Sequence, residues 1–125
     1  MRLLSIILAL FFSFQLVAQK YIVTGTASYY HQKFHGKKTA TGETFDINGM
    51  TAASNSLPLG TTVKVTNLKN GKTVMVKIND RMNVKNKRLI DLSYQAAKEL
   101  DFINSGTCKV SVEKVPEMQN DKDTY

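Results

Sequence analysis

The sequence predicts a mainly β protein, a small barrel of short strands with one short α-helix. Three observations favour this fold. Apolar and polar residues alternate in several short segments, turn residues separate those segments, and only one stretch has the spacing of a helix. Many short strands combined with a single short helix are typical of a small β-barrel.

Six segments are predicted to be strands. The clearest are 61–68 and 72–78, in which valines alternate with polar residues. Asn70 and Gly71 lie between them and indicate a tight hairpin turn, because both positions of such a turn need a positive φ. The other predicted strands are 21–30, 50–53, 89–92 and 108–115.

One helix is predicted at residues 93–100. Ser93 is a suitable N-cap, and good helix formers follow it. Leu92, Ala96 and Leu100 are spaced four apart, so they share one face that can be buried.

The chain is predicted to contain one folded domain between two segments of different character. Residues 1–18 have one basic residue and then a run rich in Leu, Ile and Phe. That run is too short for a membrane span, and it is typical of a secretory signal cleaved after Ala18. Residues 19–115 suit one barrel domain, and the polar residues 116–125 lack periodicity, so we expect a disordered tail.

Charge and cysteine content limit the partners. The net charge is +7 and Cys108 is the only cysteine, so the fold has no internal disulfide. An exported basic protein is expected to meet an anionic wall polymer or membrane surface, although the charge can also simply keep the protein soluble. Nucleic-acid binding rests on charge alone and is not expected. His31 and His35 have no convincing third ligand, so no metal or other cofactor is expected either.

Seven short motifs occur in order along the chain. They are GTASYY (25–30), FHG (34–36), TATGE (39–43), TAASNSLPLGT (51–61), VTNLKNG (65–71), NDR (79–81) and IDLS (90–93). Together they resemble the rare lipoprotein A family, bacterial cell-wall enzymes with a double-psi β-barrel domain. The resemblance covers nearly all of residues 24–115 and implies a six-stranded double-psi barrel.

The resemblance implies an exported lytic transglycosylase that acts on the glycan strands of peptidoglycan. Such an enzyme protonates the leaving oxygen after N-acetylmuramic acid and then deprotonates the sugar's own 6-hydroxyl, which closes a 1,6-anhydro ring. The family's acidic residues map onto Asp80, as general acid and base, and Glu43, which assists. Asp80 follows an alternating strand and is expected at the barrel rim. The alternative for Asp80 is an Asx turn that caps its own backbone.

Five further residues are expected to contact the substrate. Tyr30 and Phe34 offer flat aromatic faces to sugar rings, with core packing as the alternative for one of Tyr29 and Tyr30. His35 is expected to support the groove. The remaining two are Ser54, which replaces the family's usual histidine, and Arg81.

A second departure and a second function follow from the same comparison. Met82-Asn83 replaces the family's Gly-Pro, so the loop after Arg81 loses a rigid turn. Asp91 and Ser93 are interpreted as structural residues that begin the helix.

The alternative function is a non-catalytic, expansin-like module that binds peptidoglycan or another polysaccharide. In either case we expect a monomer in the periplasm or cell envelope, or outside the cell, with no stable membrane anchor after cleavage.

Overall fold

The computed structural model describes residues 21–116. Its elements are β1 Ile22–Tyr29, β2 Thr51–Ala53, β3 Thr62–Asn67, β4 Thr73–Asp80, β5 Ile90–Leu92, α1 Tyr94–Glu99 and β6 Cys108–Lys114. A 3-10 turn, Gln32–Phe34, follows β1. All six predicted strands and the predicted helix are present, with ends shifted by one or two residues. The expected signal segment 1–18 and almost all of the expected tail lie outside the described residues.

The six strands close into a barrel in the order β1-β5-β2-β4-β3-β6. The pairs β1–β5 and β2–β4 are parallel, and the other four pairs are antiparallel. Closure gives every strand two partners, so no strand edge is left unpaired. The predicted mainly β barrel with one short helix is confirmed.

The barrel interior is filled by the alternating apolar residues that predicted the strands. Successive strand side chains point to opposite faces, so the valines of β3, β4 and β6 meet inside. The fully enclosed members include Val63, Val65, Val76, Ile78, Ile90, Leu92, Val110 and Val112. Cys108 lies partly buried beside this core, where burial raises the pKa of its thiol.

The β3–β4 turn differs from the prediction. Gly71 has a φ of 77°, but among the described residues other than glycine only Asp101 has a positive φ. Residues 68–71 form the turn, and the Asn67 N–H donates to the Lys72 carbonyl at 2.9 Å. The predicted positive φ at Asn70 is therefore wrong, because this longer turn needs only Gly71 in the left-handed region.

Ser93 is the N-cap of α1, as predicted. Its Oγ accepts a hydrogen bond from the Ala96 N–H at 3.2 Å and donates to the Gly49 carbonyl at 2.6 Å. Ala96 and Leu100 are fully buried on the face that packs on the barrel. Over residues 21–116, no helix is both long and apolar enough to cross a membrane.

Candidate active site

Strand pairing brings two aspartates to one level of the barrel. Ser28 on β1 pairs with Asp91 on β5, Asp91 pairs with Ala53 on β2, and Ala53 pairs with Asp80 on β4. The β2–β4 register shifts after Ala52, so Asn79 is an extra residue in β4. One strand therefore separates Asp80 from Asp91, which puts their backbones about 10 Å apart.

An open cleft of about 440 Å³ lies over this row. Residues from the end of β1, the end of β4 and the loop before β5 line it. The lining residues that matter most for chemistry are Tyr30, Phe34, Asp80, Arg81, Arg88 and Asp91.

Asp80 receives three neutral hydrogen-bond donors. The Tyr30 hydroxyl donates to Oδ2 at 2.7 Å. The Ala40 and Arg81 N–H groups donate to Oδ1 at 3.0 Å and 2.9 Å. An Asx turn would direct the Met82 N–H to Asp80, but that N–H donates to Asn55 Oδ1 at 2.8 Å. The carboxylate is thus held mainly by groups from distant parts of the chain.

Tyr30 is fixed by aromatic packing. Its ring meets Phe45 edge-on at 4.5 Å between centroids and tilts against Phe34 at 5.9 Å. Burial, followed by the hydrogen bond to Asp80, raises the pKa of the Tyr30 phenol above its usual range. Tyr29 also borders the cleft, but its ring packs on Phe102 and its hydroxyl donates to the Ile103 carbonyl. Core packing therefore explains Tyr29, and Tyr30 faces the cleft.

Phe34 presents an exposed ring at the cleft. It is 39% exposed, and the ammonium groups of Lys33 and Lys37 lie 5.3 Å and 5.6 Å from the ring centroid. These distances are within the range of cation–π attraction. The ring is therefore an aromatic surface bordered by positive charge.

Asp91 is the second carboxylate of the cleft. Its Oδ1 accepts from Ser28 Oγ at 2.6 Å and from Arg88 Nε at 2.9 Å, and Oδ2 accepts from Arg88 Nη2 at 3.1 Å. A two-point arginine contact of this kind fixes the carboxylate in direction as well as charge. The same contact raises the pKa of Arg88. Asp91, two residues before the N-cap Ser93, is thus also a fixed carboxylate on the wall of the cleft.

Glu43 does not line the cleft. Its Oε1 lies 3.0 Å from Lys77 Nζ and accepts from Thr41 Oγ1 at 3.0 Å. The hydrogen bond from Lys77, with that from Thr41 second, lowers the pKa of Glu43 below its usual value. Glu43 belongs to the loop whose Ala40 N–H binds Asp80, but its carboxylate faces Lys77.

Ser54 is also away from the cleft. It is fully buried, and its Oγ donates to the Leu89 carbonyl at 2.8 Å while accepting from the Ser56 and Leu57 N–H groups at 3.3 Å each. A buried hydroxyl with these partners holds the turn after β2. The structure therefore does not bring Ser54 to a position where it can touch a glycan.

Arg81 and His35 make mainly supporting contacts. Arg81 Nη1 donates to the Ser54 and Leu57 carbonyls, and the exposed remainder of the side chain lines the cleft. His35 Nδ1 accepts from the Ile47 N–H at 3.2 Å and is not part of the cleft lining. Within residues 21–116, no group of three His, Cys, Asp or Glu side chains is placed to hold a metal ion.

A protein-family model described as lytic transglycolase matches residues 22–112. The chain belongs to this family. The match spans the whole barrel except the last residues of β6. It confirms the rare lipoprotein A-like double-psi barrel that the motifs predicted.

Curated relatives agree with this lytic transglycolase membership. The chain is 52% identical over 102 residues to the endolytic peptidoglycan transglycosylase RlpA of Pseudomonas aeruginosa, which covers 82% of this chain and 30% of that protein. It is 49% identical over 92 residues to the Neisseria meningitidis protein of the same name, covering 74% of this chain and 38% of the relative. The chain thus spans about a third of the length of these relatives.

Solved structures show the same fold. The Streptomyces papain inhibitor matches with a TM-score of 0.61 and 26% identity, covering 76% of this chain and 94% of the inhibitor. The apo expansin of Clavibacter michiganensis matches with a TM-score of 0.64 and 23% identity, covering 80% of this chain and 53% of the expansin. These likenesses support the barrel assignment.

The departure from the lytic transglycolase pattern at Met82-Asn83 has a visible replacement. Asn55 Nδ2 donates to the Asn83 carbonyl at 3.2 Å, and Asn83 Oδ1 accepts from the Lys85 N–H at 3.0 Å. Together with the Met82 N–H contact to Asn55, these bonds hold the loop without a rigid Gly-Pro turn. Asparagine side chains commonly stabilise turns in this way.

Ser54→Ala is expected to lower stability and leave glycan binding unchanged. The substitution leaves the part-buried Leu89 carbonyl without the Ser54 donor and the two N–H groups without their Ser54 acceptor. The expected loss is about 1–2 kcal/mol in the free energy of unfolding. Urea denaturation and co-sedimentation with sacculi measure the two quantities. Weakened binding at unchanged stability would show instead that Ser54 contacts the glycan.

Tyr30 is expected to make stability fall at alkaline pH. Because the folded-state pKa of Tyr30 is raised, the unfolded chain releases this proton first, at about pH 10, while the folded protein retains it. The free energy of unfolding is then highest below that pH and falls as the pH rises further. Tyr30→Phe should make this fall shallower in urea denaturation series. Identical slopes in both proteins would contradict the raised pKa.

Proposed function

We propose that this protein is a lytic transglycosylase that cleaves the glycan strands of peptidoglycan and leaves 1,6-anhydro-N-acetylmuramic acid ends. The observation that carries the proposal is the Asp80 carboxylate, which borders an open cleft and receives neutral donors from Tyr30 and Ala40. Membership of the lytic transglycolase family and the peptidoglycan transglycosylase relatives support it.

The proposed reaction needs one carboxyl group in two steps. Asp80 first donates a proton to the oxygen that leaves C1 of N-acetylmuramic acid. It then takes the proton from the 6-hydroxyl of the same sugar, whose oxygen forms the new bond to C1. The leaving strand keeps the first proton and Asp80 recovers the second, so the reaction consumes no water. A second carboxylate to activate water, as in inverting hydrolysis, is not required.

The hydrogen bonds around Asp80 favour Oδ2 as the oxygen that carries the proton. Oδ1 accepts two backbone N–H groups, which can only donate. Oδ2 meets only the Tyr30 hydroxyl, which donates to a carboxylate and accepts from a carboxylic acid. The 2.7 Å contact therefore suits both protonation states that the two steps require.

Asp91 is proposed to stabilise the positive charge that develops at the sugar. The transition state of glycoside cleavage resembles an oxocarbenium ion, and a fixed carboxylate nearby lowers its energy. Arg88 and Ser28 hold Asp91 in one orientation on the cleft wall. This arrangement supports an electrostatic role for Asp91, with Asp80 left to move the proton.

Substrate contacts are proposed for three of the five expected residues. Tyr30 and Phe34 offer aromatic faces, and the exposed part of Arg81 offers a cation. His35 and Ser54 are proposed to act from behind, by holding the loops that shape the cleft. Glu43 is proposed to assist Asp80 from its loop.

The proposed site of action is the cell envelope. Peptidoglycan lies outside the cytoplasm, and residues 1–18 have the composition of a secretory signal. The mature protein is proposed to act as a monomer in the periplasm or envelope, or outside the cell. Fractionation of cells that express the full chain, with N-terminal sequencing of the product, tests both export and cleavage after Ala18.

Digestion of purified glycan strands tests the proposed activity. Strands with and without stem peptides are incubated with the full chain, and the products are examined by mass spectrometry for 1,6-anhydro ends. The proposal predicts such ends. Their absence, together with retained binding to sacculi, would overturn it in favour of a non-catalytic, expansin-like binding module.

A further inference from the structure

A short hairpin outside the barrel lies across the end of β4. It comprises residues 37–45, is closed by an antiparallel bridge between Lys38 and Thr44, and turns at Gly42 with a φ of 86°. We call residues 37–45 the tip hairpin. Three contacts attach it to β4: the Ala40 N–H to Asp80 Oδ1 (3.0 Å), the Thr41 N–H to the Asn79 carbonyl (3.2 Å), and Glu43 Oε1 to Lys77 Nζ (3.0 Å).

Of these three contacts, only the last joins two charged groups. The Thr41 hydroxyl supports it by donating to the same Glu43 oxygen. The lowered pKa of Glu43, caused first by Lys77, keeps the carboxylate charged at neutral pH. The carboxylate of the pair is therefore charged under the conditions in which Asp80 would act.

We infer that Lys77 is a positioning residue, and that the Glu43–Lys77 pair is a latch that keeps the Ala40 N–H on Asp80 Oδ1. For its effect on cleavage, this inference rests on the proposed function. With the latch closed, Oδ1 is occupied by N–H donors and the proton of Asp80 resides on Oδ2. Without the latch, the Ala40–Asp80 hydrogen bond opens more often, so Oδ1 more often lacks a donor and both oxygens compete for the proton.

The inference gives Glu43 a role that needs no contact with the glycan. Its carboxylate faces Lys77 on the outer surface of β4, where the Lys77 side chain is 46% exposed and that of Glu43 is 42% exposed. A second catalytic carboxyl group would have to reach the cleft, and Glu43 does not line it. On this inference, Glu43 assists Asp80 through the Ala40 N–H.

The first test measures the opening of the latch without an activity assay. Amide hydrogen exchange is measured by NMR on the full chain for wild type, Lys77→Met, Lys77→Arg and Lys64→Met. Lys64 is an exposed lysine on β3, so its variant is the matched control. Lys77→Met is expected to raise the exchange rate of the Ala40 amide about threefold to fivefold. Lys77→Arg and Lys64→Met should stay at the wild-type rate, and an unchanged rate in Lys77→Met would overturn the latch.

The second test measures how loss of the latch changes the rate of glycan cleavage. Lys77→Met is expected to lower kcat for 1,6-anhydro ends by the same threefold to fivefold, with binding to sacculi unchanged. Lys77→Arg should recover most of the rate, because the arginine keeps a cation opposite Glu43. A fall in kcat without faster Ala40 exchange would mean that Lys77 touches the glycan, which would overturn the positioning role. If wild type forms no ends, the proposed function fails, and the Ala40 amide alone decides the latch.

Discussion

Asp80→Asn is expected to abolish detectable formation of 1,6-anhydro ends while leaving the barrel folded. Asparagine can still accept the Ala40 and Arg81 N–H groups through its oxygen, so the surroundings of residue 80 need not rearrange. It cannot donate and recover a proton as a carboxyl group does. General acid–base catalysis contributes about 10²–10⁴-fold to a rate, and here both steps depend on one group. Product yield per unit time by mass spectrometry measures the effect.

Asp101→Asn is the matched control for this substitution. Asp101 is exposed, lies outside the cleft lining, and has a positive φ that asparagine tolerates well. The Asp101→Asn variant should therefore cleave glycan strands at the wild-type rate. Persistence of anhydro ends in Asp80→Asn would remove Asp80 from the acid–base role, whatever the control shows.

Asp91→Asn is expected to lower the cleavage rate about tenfold to hundredfold, from the loss of one fixed charge near the developing oxocarbenium ion. The Ser28 hydroxyl retains an acceptor, but Arg88 loses its counter-charge. The side chain of Arg88 is 41% exposed, so the free energy of unfolding should fall by only about 1 kcal/mol. Steady-state cleavage rates and urea denaturation separate the two effects.

Arg88→Gln distinguishes the charge of Asp91 from its orientation. In that variant the carboxylate remains while its two-point partner is gone. We expect Arg88→Gln to retain more activity than Asp91→Asn, because the negative charge persists. Equal rates in Asp91→Asn and wild type would exclude the electrostatic role, and a greater loss in Arg88→Gln would assign the effect to the arginine.

The fold was largely predictable because alternation reports which side chains face inward. The valines of β3 and β4 identified both strands, and Ser93 with its following helix formers identified α1. The β3–β4 turn was predicted too tightly, because an Asn-Gly pair is compatible with turns of more than one length. Turn length depends on strand register, which the dipeptide does not determine.

The site was predictable in part. Asp80, Tyr30 and Phe34 do border one cleft, as their motifs suggested. Asp91 was missed as a cleft residue because its neighbours on β1 and β2 are brought to it by pairing over long sequence distances. In a three-residue strand that is buried throughout, the alternation that would mark an outward side chain is absent. Only the register shows that Asp91 and Asp80 share one level.

For Glu43 and Ser54, the motifs did not predict the direction of the side chain. A motif can identify a residue as part of a site without saying which way its side chain points. The Glu43 side chain points to Lys77, which lies two residues before the extra residue Asn79. The Ser54 side chain points into the barrel wall. The bulge at Asn79 shifts the side-chain alternation at the end of β4, and no sequence period indicates such a shift.

Digestion in water labelled with heavy oxygen, with wild type and Asp80→Asn side by side, tests the central claim most directly. If Asp80 lets the sugar's own 6-hydroxyl form the new bond, wild type should yield 1,6-anhydro ends that carry no label. Asp80→Asn should yield no 1,6-anhydro ends. New reducing ends that carry the label, in excess of those in an enzyme-free control, would mean that water attacks the sugar. That result would contradict the mechanism even if strands are cut.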